Sequence, residues 1–222
     1  MNSTYKIILI LLSLSLFSCS SLQNNNIAPG YKEAISSIRN IIFGFEGIPI
    51  TKDLVDNIPY ASATLKIGKG PKGLIILESE TSGRYTWVSA DGVYLVIEDG
   101  RIKETSGLLN NLVGTIDSFG KRNFLEFTES EVYRYYQSYD NPELNNLELK
   151  VSLKREGKEI ITILGVEREL NLISETKAND YLGWEVKNLY WVDNNLFVWK
   201  SEQHISPKLP KMIIEVTKKP SI

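Results

Sequence analysis

The chain has 222 residues, a formal net charge of -2 at pH 7, and an ordinary globular balance of 42% hydrophobic and 23% charged residues. That length suits one domain with a sizeable core, and the composition excludes the highly charged, weakly hydrophobic class of disordered chains. Nucleic-acid binding normally requires a cluster of basic residues that contacts the phosphates. Because the chain is slightly acidic overall, we expect no nucleic-acid partner.

The first 18 residues have the three parts of a secretory signal peptide. A polar start contains Lys6, an apolar run follows at residues 7–17, and small residues end the segment. As a helix, the apolar run would be about 16 Å long, which is half of the ~30 Å hydrocarbon core of a bilayer. We therefore predict that residues 1–18 are a cleaved leader and not a membrane span.

The leader ends in Leu16-Phe17-Ser18-Cys19, which resembles the lipobox cut by the bacterial lipoprotein signal peptidase. Cys19 is the only cysteine in the chain, so it cannot form an internal disulfide in an exported protein. Lipidation explains the thiol, and an ordinary signal peptide that happens to end at a cysteine is the alternative. Ser20 stands where an aspartate would mark inner-membrane retention in the enterobacterial sorting rule. We therefore predict an outer-membrane lipoprotein that faces the periplasm.

The mature chain begins with a polar, Asn-rich segment. Residues 19–30 include Pro29 and Gly30 and show no hydrophobic periodicity, which predicts a flexible tether behind the lipidated cysteine. Residues 31–43 place isoleucines at helical spacing, which predicts one amphipathic N-terminal helix. Residues 31–222 together are predicted to form a single β-rich periplasmic domain.

From residue 61 onward, short runs rich in β-branched and aromatic residues alternate with turn dipeptides. In residues 147–154, an apolar residue alternates with a polar one, as in a strand with one buried and one solvated face. The predicted strands cover residues 61–67, 73–80, 84–89, 93–98, 147–154, 159–164, 184–191, 196–201 and 212–217.

Turn signals decide how these strands connect. Asp99-Gly100 and Glu156-Gly157 predict tight hairpin turns, and residues 193–195 predict a weaker one. Because long helical patterns between strands are missing, the sequence predicts a mainly β fold, in which an antiparallel meander sheet forms a barrel-like or folded-over domain. Residues 107–146 are the hardest to interpret, and within them residues 130–137 suit either a helix or a tyrosine-rich strand.

Few motifs point to chemistry. Residues 68–73 match the dinucleotide-binding pattern GxGxxG, but a strand follows them instead of the helix that a pyrophosphate needs, so a hairpin loop explains them better. With one histidine, His204, and one cysteine committed to lipid, the sequence contains no diagnostic metal motif or nucleophilic triad. We therefore expect no cofactor and no catalysis, although paired carboxylates for glycoside hydrolysis stay open.

Aromatic residues are the most suggestive remaining feature. Trp87, Trp184, Trp191 and Trp199 fall on predicted strands, together with several tyrosines. Flat aromatic faces beside polar groups suit sugar rings and protein interfaces. Core packing is the alternative, and it is the commoner use of such residues.

Two ordered strings resemble the YjbF/GfcB lipoproteins of exopolysaccharide and group 4 capsule gene clusters. The first covers residues 50–70 and continues in Trp-Val-Ser-Ala-Asp-Gly at 87–92, and the second joins Tyr-Trp-Val-Asp at 190–193 to residues 198–203. The likeness extends in order over nearly all of the mature chain and is weakest in residues 107–146.

This resemblance implies a predominantly β, outer-membrane lipoprotein that assists production or export of a surface polysaccharide. It implies no catalytic residues, so the matching residues are candidates for a glycan or partner surface, or for a structural corner. These are Tyr60, Trp87, Asp91, Trp191, Asp193 and Gln203. The implied partners are the membrane through the lipid on Cys19 and other envelope proteins of a polysaccharide export system, and polysaccharide is a further candidate. A carbohydrate-modifying enzyme and a periplasmic carrier of an apolar ligand are the alternatives.

Overall fold

A computed structural model describes residues 49–119, 122–129 and 131–220. The predicted leader, the tether with Cys19 and the predicted helix at 31–43 lie outside the described residues. Those expectations therefore stay predictions.

The described residues form one short helix and twelve strands. In chain order these are α1 (Lys52–Asp56), β1 (Ser62–Ile67), β2 (Lys72–Thr81), β3 (Arg84–Ser89), β4 (Tyr94–Glu98), β5 (Arg101–Ser106), β6 (Leu112–Asp117), β7 (Tyr133–Asp140), β8 (Glu143–Ile163), β9 (Val166–Asn179), β10 (Trp184–Val192), β11 (Val198–Gln203) and β12 (Met212–Lys218).

All twelve strands belong to one sheet with the order β5-β4-β3-β2-β1-β12-β11-β10-β9-β8-β7-β6. Each strand pairs antiparallel with the next strand in the chain, except that β5 and β6 do not pair and form the two edges of the sheet. In addition, β1 pairs antiparallel with β12. The edges approach each other and are bridged by side chains, as where the Leu112 amide donates to Thr105 Oγ1 at 2.9 Å. The sheet thus nearly closes into a barrel, which confirms the predicted mainly β, antiparallel, barrel-like fold.

Two hydrophobic clusters fill the inside of this sheet. One gathers residues of β1 to β5 and β12, including Leu65, Trp87 and Leu95, and the other gathers residues of β7 to β10, including Leu149 and Tyr190. The predicted alternation in residues 147–154 is confirmed, since its apolar residues from position 149 onward are buried and the intervening polar residues are exposed. The alternation of apolar and polar residues therefore places the apolar side chains of this part of β8 on the face that packs in the core.

The predicted turn at Glu156-Gly157 is wrong. Both residues lie inside β8, where the pairing with β9 shifts between Arg155 and Gly157. Gly157, at a φ of 111°, supplies the backbone conformation that this β-bulge requires. The chain reverses at Leu164-Gly165 instead, so the predicted strands at 147–154 and 159–164 are parts of one long strand.

The bulge lets the β8–β9 hairpin lie against the outer face of the sheet. Trp191 follows the interior residue Tyr190 on β10 and therefore points outward, where it packs with Ile161, Ile163 and Leu170 of the hairpin. The tip of the hairpin contacts the hydrophobic cluster beside α1. This hairpin buries apolar side chains on a face that would otherwise be solvated.

The other predicted strands agree with β1 to β4 and β10 to β12 within two residues. Asp99-Gly100 forms the predicted turn, with φ values of 51° and 83°. The loop predicted at residues 68–73 connects β1 and β2 but is shorter, since it covers residues 68–71 and β2 begins at Lys72. Of the alternatives at 130–137, the tyrosine-rich strand is correct, since β7 begins at Tyr133. The sequence patterns do not predict β5, β6 and β9. In β5 and β9 charged or polar residues occupy buried as well as exposed positions, and in β6 the exposed positions carry Val113 and Ile116.

Candidate functional site

Three of the six residues predicted for a binding surface are buried. Trp87 belongs to an interior hydrophobic cluster. Gln203 also lies inside the barrel, where its Oε1 accepts a hydrogen bond from the Ile102 amide at 3.0 Å. Trp191 lies beneath the β8–β9 hairpin, and its Nε1 donates to Glu159 Oε2 at 2.7 Å.

The other three residues are more accessible. Asp91 is exposed in the turn between β3 and β4, where the Ser89 hydroxyl donates to its carboxylate. Asp193 lies in the turn between β10 and β11, and its Oδ2 accepts from Trp199 Nε1 at 3.0 Å. Tyr60 is partly buried and packs against the hydrophobic cluster beside α1. The six residues thus do not share one exposed surface, and their part in binding stays a prediction.

A cluster of polar and charged side chains lies inside the barrel, where the two interior hydrophobic clusters meet. Glu175 on β9 is 1% exposed and stands at its centre. Its Oε1 accepts a hydrogen bond from Tyr135 at 2.7 Å, and its Oε2 accepts from Asn188 at 2.7 Å and from Tyr190 at 2.9 Å. These donors lie on β7 and β10, so the carboxylate links three strands.

Arg101 and Lys103 bring two positive charges from β5 into the same region. Arg101 Nη2 donates to Asp117 Oδ2 at 2.9 Å across the gap between β5 and β6, and Lys103 Nζ donates to the same oxygen. The guanidinium carbon of Arg101 also lies 4.1 Å from the centre of the Phe124 ring. Burial would raise the pKa of Asp117, but the charges of Arg101 and Lys103 outweigh burial and hold that pKa below its ordinary value.

Lys177 on β9 is a third buried cation. It is 3% exposed, and its Nζ donates to the His204 carbonyl at 2.7 Å. Burial lowers the pKa of Lys177 to about 8, and the charge of Glu175 opposes this effect. The space left among these polar side chains measures about 10 Å³, which is room for about one water molecule. The interior cluster is therefore a structural network and not a substrate site.

A larger cleft of about 440 Å³ opens at the end of the barrel where the β4–β5 and β10–β11 turns lie, and we call it the end cleft. Its floor consists of interior residues, among them Trp87, Ile97 and Val216. Further aromatic side chains, Tyr85, Phe197 and Trp199, contribute to its lining. The cleft thus combines an apolar floor with aromatic rings and opens to solvent.

Charged groups stand at the margins of the end cleft. Burial raises the pKa of Asp99 above its ordinary value, and the nearby charge of Arg101 opposes the rise. Lys219 also lines the cleft, and its Nζ lies 4.3 Å from the centre of the Phe197 ring and 4.0 Å from Asp193 Oδ2. A ligand in the cleft would therefore meet a carboxylate and an ammonium group besides the aromatic rings.

Sequence reasoning missed the interior cluster. Arg101, Lys103, Glu175 and Lys177 lie on strands that the patterns do not predict, and charged residues at alternate strand positions normally face solvent. One signal was available in the tyrosine-rich stretch of β7, because a buried tyrosine hydroxyl needs a hydrogen-bond partner inside the protein.

Within 49–119, 122–129 and 131–220, no group of three or more His, Cys, Asp or Glu side chains is arranged to hold a metal ion. None of the helical structure in these ranges has the length and apolar character that a membrane-spanning helix requires.

Comparison with solved structures supports the fold. The crystal structure of the hypothetical lipoprotein YmcC from Escherichia coli (K12) matches this chain with a TM-score of 0.70 and 21% sequence identity. The match covers 85% of this chain and 97% of the YmcC chain. At this level of identity the likeness establishes a common fold alone.

Sequence comparisons identify the family. The uncharacterized lipoprotein YjbF of Escherichia coli (strain K12) is 26% identical over 211 residues, covering 89% of this chain and 90% of the relative. The uncharacterized lipoprotein GfcB of the same strain is 23% identical over 192 residues, covering 85% and 86%. The profile of the family described as "Group 4 capsule polysaccharide lipoprotein gfcB, YjbF" matches residues 35–217. Because that match spans most of the chain, the protein belongs to the YjbF/GfcB family of group 4 capsule polysaccharide lipoproteins.

Proposed function

We propose that this protein is an outer-membrane lipoprotein that assists production or export of a capsular polysaccharide or exopolysaccharide, by binding glycan or protein partners and without catalysis. The observation that carries the proposal is the family match over residues 35–217. The predicted leader, which ends just before Cys19, supports it independently, because a lipid on that thiol would hold the β domain at a membrane of the cell envelope.

The placement of the acids favours binding over hydrolysis. Glycoside hydrolases use two carboxyl groups that face each other across the sugar, about 5–9.5 Å apart. Inside the barrel, Glu175 already accepts three hydrogen bonds and Asp117 is paired with two cations. Among the described residues that line the end cleft, Asp99 is the one carboxylate. A role as a binding protein fits this arrangement better than a role as a glycosidase.

Deletion of the gene tests the proposed role. We expect surface polysaccharide to fall while cell-associated precursor is retained or accumulates, because the protein would act after the sugar units are made. Wild-type complementation should restore the surface polysaccharide, whereas Cys19→Ala should not, even when its cellular amount matches wild type. A deletion strain with unchanged surface polysaccharide would overturn the proposal.

The anchor is tested separately. Mass spectrometry of the mature protein should find fatty acid on an N-terminal Cys19, and membrane fractionation should place the protein with the outer membrane. An unmodified N-terminus, or a leader that is still attached, would contradict the lipoprotein assignment for this chain.

A further inference from the structure

We infer that the end cleft is a saccharide-binding site that holds one or two sugar rings against aromatic side chains and offers the Asp99 carboxylate to sugar hydroxyl groups. This inference rests on the proposed function, and it selects glycan, rather than protein, as the ligand of this site.

The size and lining of the cleft fit a small ligand. Its volume of about 440 Å³ lies within the range of about 300–1,000 Å³ that is usual for small-molecule sites. Its floor is continuous with the interior hydrophobic cluster, through Trp87, Ile97 and Val216. Such a floor is held in place by the barrel and does not have to form when a ligand arrives.

The aromatic rings are fixed by neighbouring groups. Trp199 Nε1 donates to Asp193 Oδ2 at 3.0 Å, and the guanidinium carbon of Arg168 lies 3.8 Å from the centre of the Trp199 ring. Phe197 packs against Trp199 edge to face, with 5.1 Å between ring centres. Rings that are already immobilised lose little entropy on binding, and the apolar C–H faces of sugars pack well on such rings.

The polar groups distinguish a sugar from a purely apolar ligand. Within the described part of the chain, no hydrogen bond reaches the carboxylate of Asp99, which lines the cleft. An acyl chain that filled the cleft would cover this carboxylate without pairing it, which is costly. Sugar hydroxyls would instead donate to Asp99 and accept from Lys219, which also lines the cleft.

Binding can be measured with the full mature lipoprotein in phospholipid nanodiscs, by calorimetry and by tryptophan fluorescence. The saccharide probes are maltose, cellobiose, N,N'-diacetylchitobiose and short oligosaccharides from partial hydrolysis of the bacterium's own surface polysaccharide. Octanoate serves as a soluble apolar probe. We expect at least one saccharide to bind and octanoate not to compete with it.

Two matched pairs of variants locate the site. Asp99→Asn removes the charge in the cleft, and we expect about tenfold weaker saccharide binding, in line with the usual strength of hydrogen bonds to charged groups. Asp180→Asn is its control, because Asp180 lies in an exposed ion pair with Lys150. Tyr85→Leu should weaken binding to a similar extent, and Tyr181→Leu is its control, since Tyr181 is 92% exposed and is not among the cleft residues. Thermal unfolding of each variant shows whether it has folded.

Each outcome decides between the inference and its competitors. Saccharide binding that the two cleft variants weaken and the two controls retain would support the inference. Binding of octanoate alone, binding that all four variants retain, or no saccharide binding would overturn it. If gene deletion lowers surface polysaccharide and no saccharide binds, the inference fails while the proposed function stands. If saccharide binds and deletion has no effect, the proposed function fails while the site stands.

Discussion

Arg101 on β5 and Asp117 on β6 connect the two edges of the sheet, with 2.9 Å between Nη2 and Oδ2. These strands are not hydrogen-bonded neighbours in the sheet, so side chains and not a backbone ladder close the barrel at this point. Both side chains are almost entirely buried. The contact therefore covers sheet edges that could otherwise pair with another chain.

Asp117→Asn should destabilise the protein strongly. The variant keeps the shape of the side chain but removes the carboxylate charge that Arg101 and Lys103 share, and Lys103 then keeps only its longer ion pair with Glu98, at 3.5 Å. Breaking a buried ion pair in this way costs about 3–5 kcal/mol. We expect the free energy of unfolding, measured by urea denaturation, to fall by that amount, and amide hydrogen exchange in β5 and β6 to become faster.

An exposed ion pair provides the comparison. Asp180 pairs with Lys150 at the surface, and exposed pairs contribute less than about 1 kcal/mol. Asp180→Asn should therefore change the free energy of unfolding only slightly. If the two variants unfold at the same urea concentration, the ion pair between β5 and β6 does not hold the barrel closed.

The buried side chain of Lys177 should make the free energy of unfolding increase as the pH rises. Burial lowers the pKa of Lys177 to about 8 in the folded protein, whereas an unfolded lysine keeps its proton up to about pH 10.4. Between these values the unfolded chain binds more protons than the folded one, so the free energy of unfolding increases with pH. The gain between pH 8 and pH 10 should be about 2 kcal/mol.

The buried tyrosines limit the range of this measurement. Burial and the charge of Glu175 raise the pKa values of Tyr135 and Tyr190 well above the ordinary value. Above about pH 10 the unfolded chain loses tyrosine protons that the folded protein keeps, so stability then falls. Urea denaturation from pH 7.5 to pH 10 should show the rise in wild type and lack it in Lys177→Met. A rise of equal size in the variant would assign it to another group.

The alternation in residues 147–154 shows why the fold class could be predicted. One face of that strand must be buried, and a chain made of such strands without long helices has few ways to bury them. Glu156-Gly157 shows where this reasoning stops. A polar residue followed by glycine suits a tight turn and a bulge equally well, and the pairing partner on β9 decides between them.

The candidate site was less predictable because it is assembled by the pairing of strands that are far apart in the chain. The sequence patterns place Asp99 in a turn and Trp199 on a strand, and of these cleft residues only Trp87 is among the six candidates for a binding surface. They come together in the end cleft because β1 pairs with β12, which brings the first strands of the barrel beside the last ones. Periodicity along the chain contains no information about which distant strands pair.

Two adjacent isoleucines test whether the β8–β9 hairpin packs on the outside of the barrel. Ile161 is 9% exposed and packs near Trp191, whereas Ile160 is 64% exposed. Ile161→Ala should lower the free energy of unfolding by about 2–4 kcal/mol, as expected for a truncated core isoleucine. Ile160→Ala should stay within about 0.5 kcal/mol of wild type. Equal effects in chemical denaturation would mean that the hairpin does not cover this face.

Gly107, just after β5, should be far less replaceable than Gly83, in the turn between β2 and β3. Both have positive φ values, 85° and 81°, so alanine is strained at either position by about 1–2 kcal/mol. At Gly107 a Cβ atom would also lie 2.5 Å from the carbonyl oxygen of Gly92, whereas at Gly83 it would meet nothing within 4 Å. We expect Gly107→Ala to lower the free energy of unfolding by about 1–3 kcal/mol more than Gly83→Ala, because the backbone of the β3–β4 turn must move. Thermal and urea denaturation of the two variants measure the difference. Variants of equal stability would show that the turn at Gly92 does not pack against the end of β5.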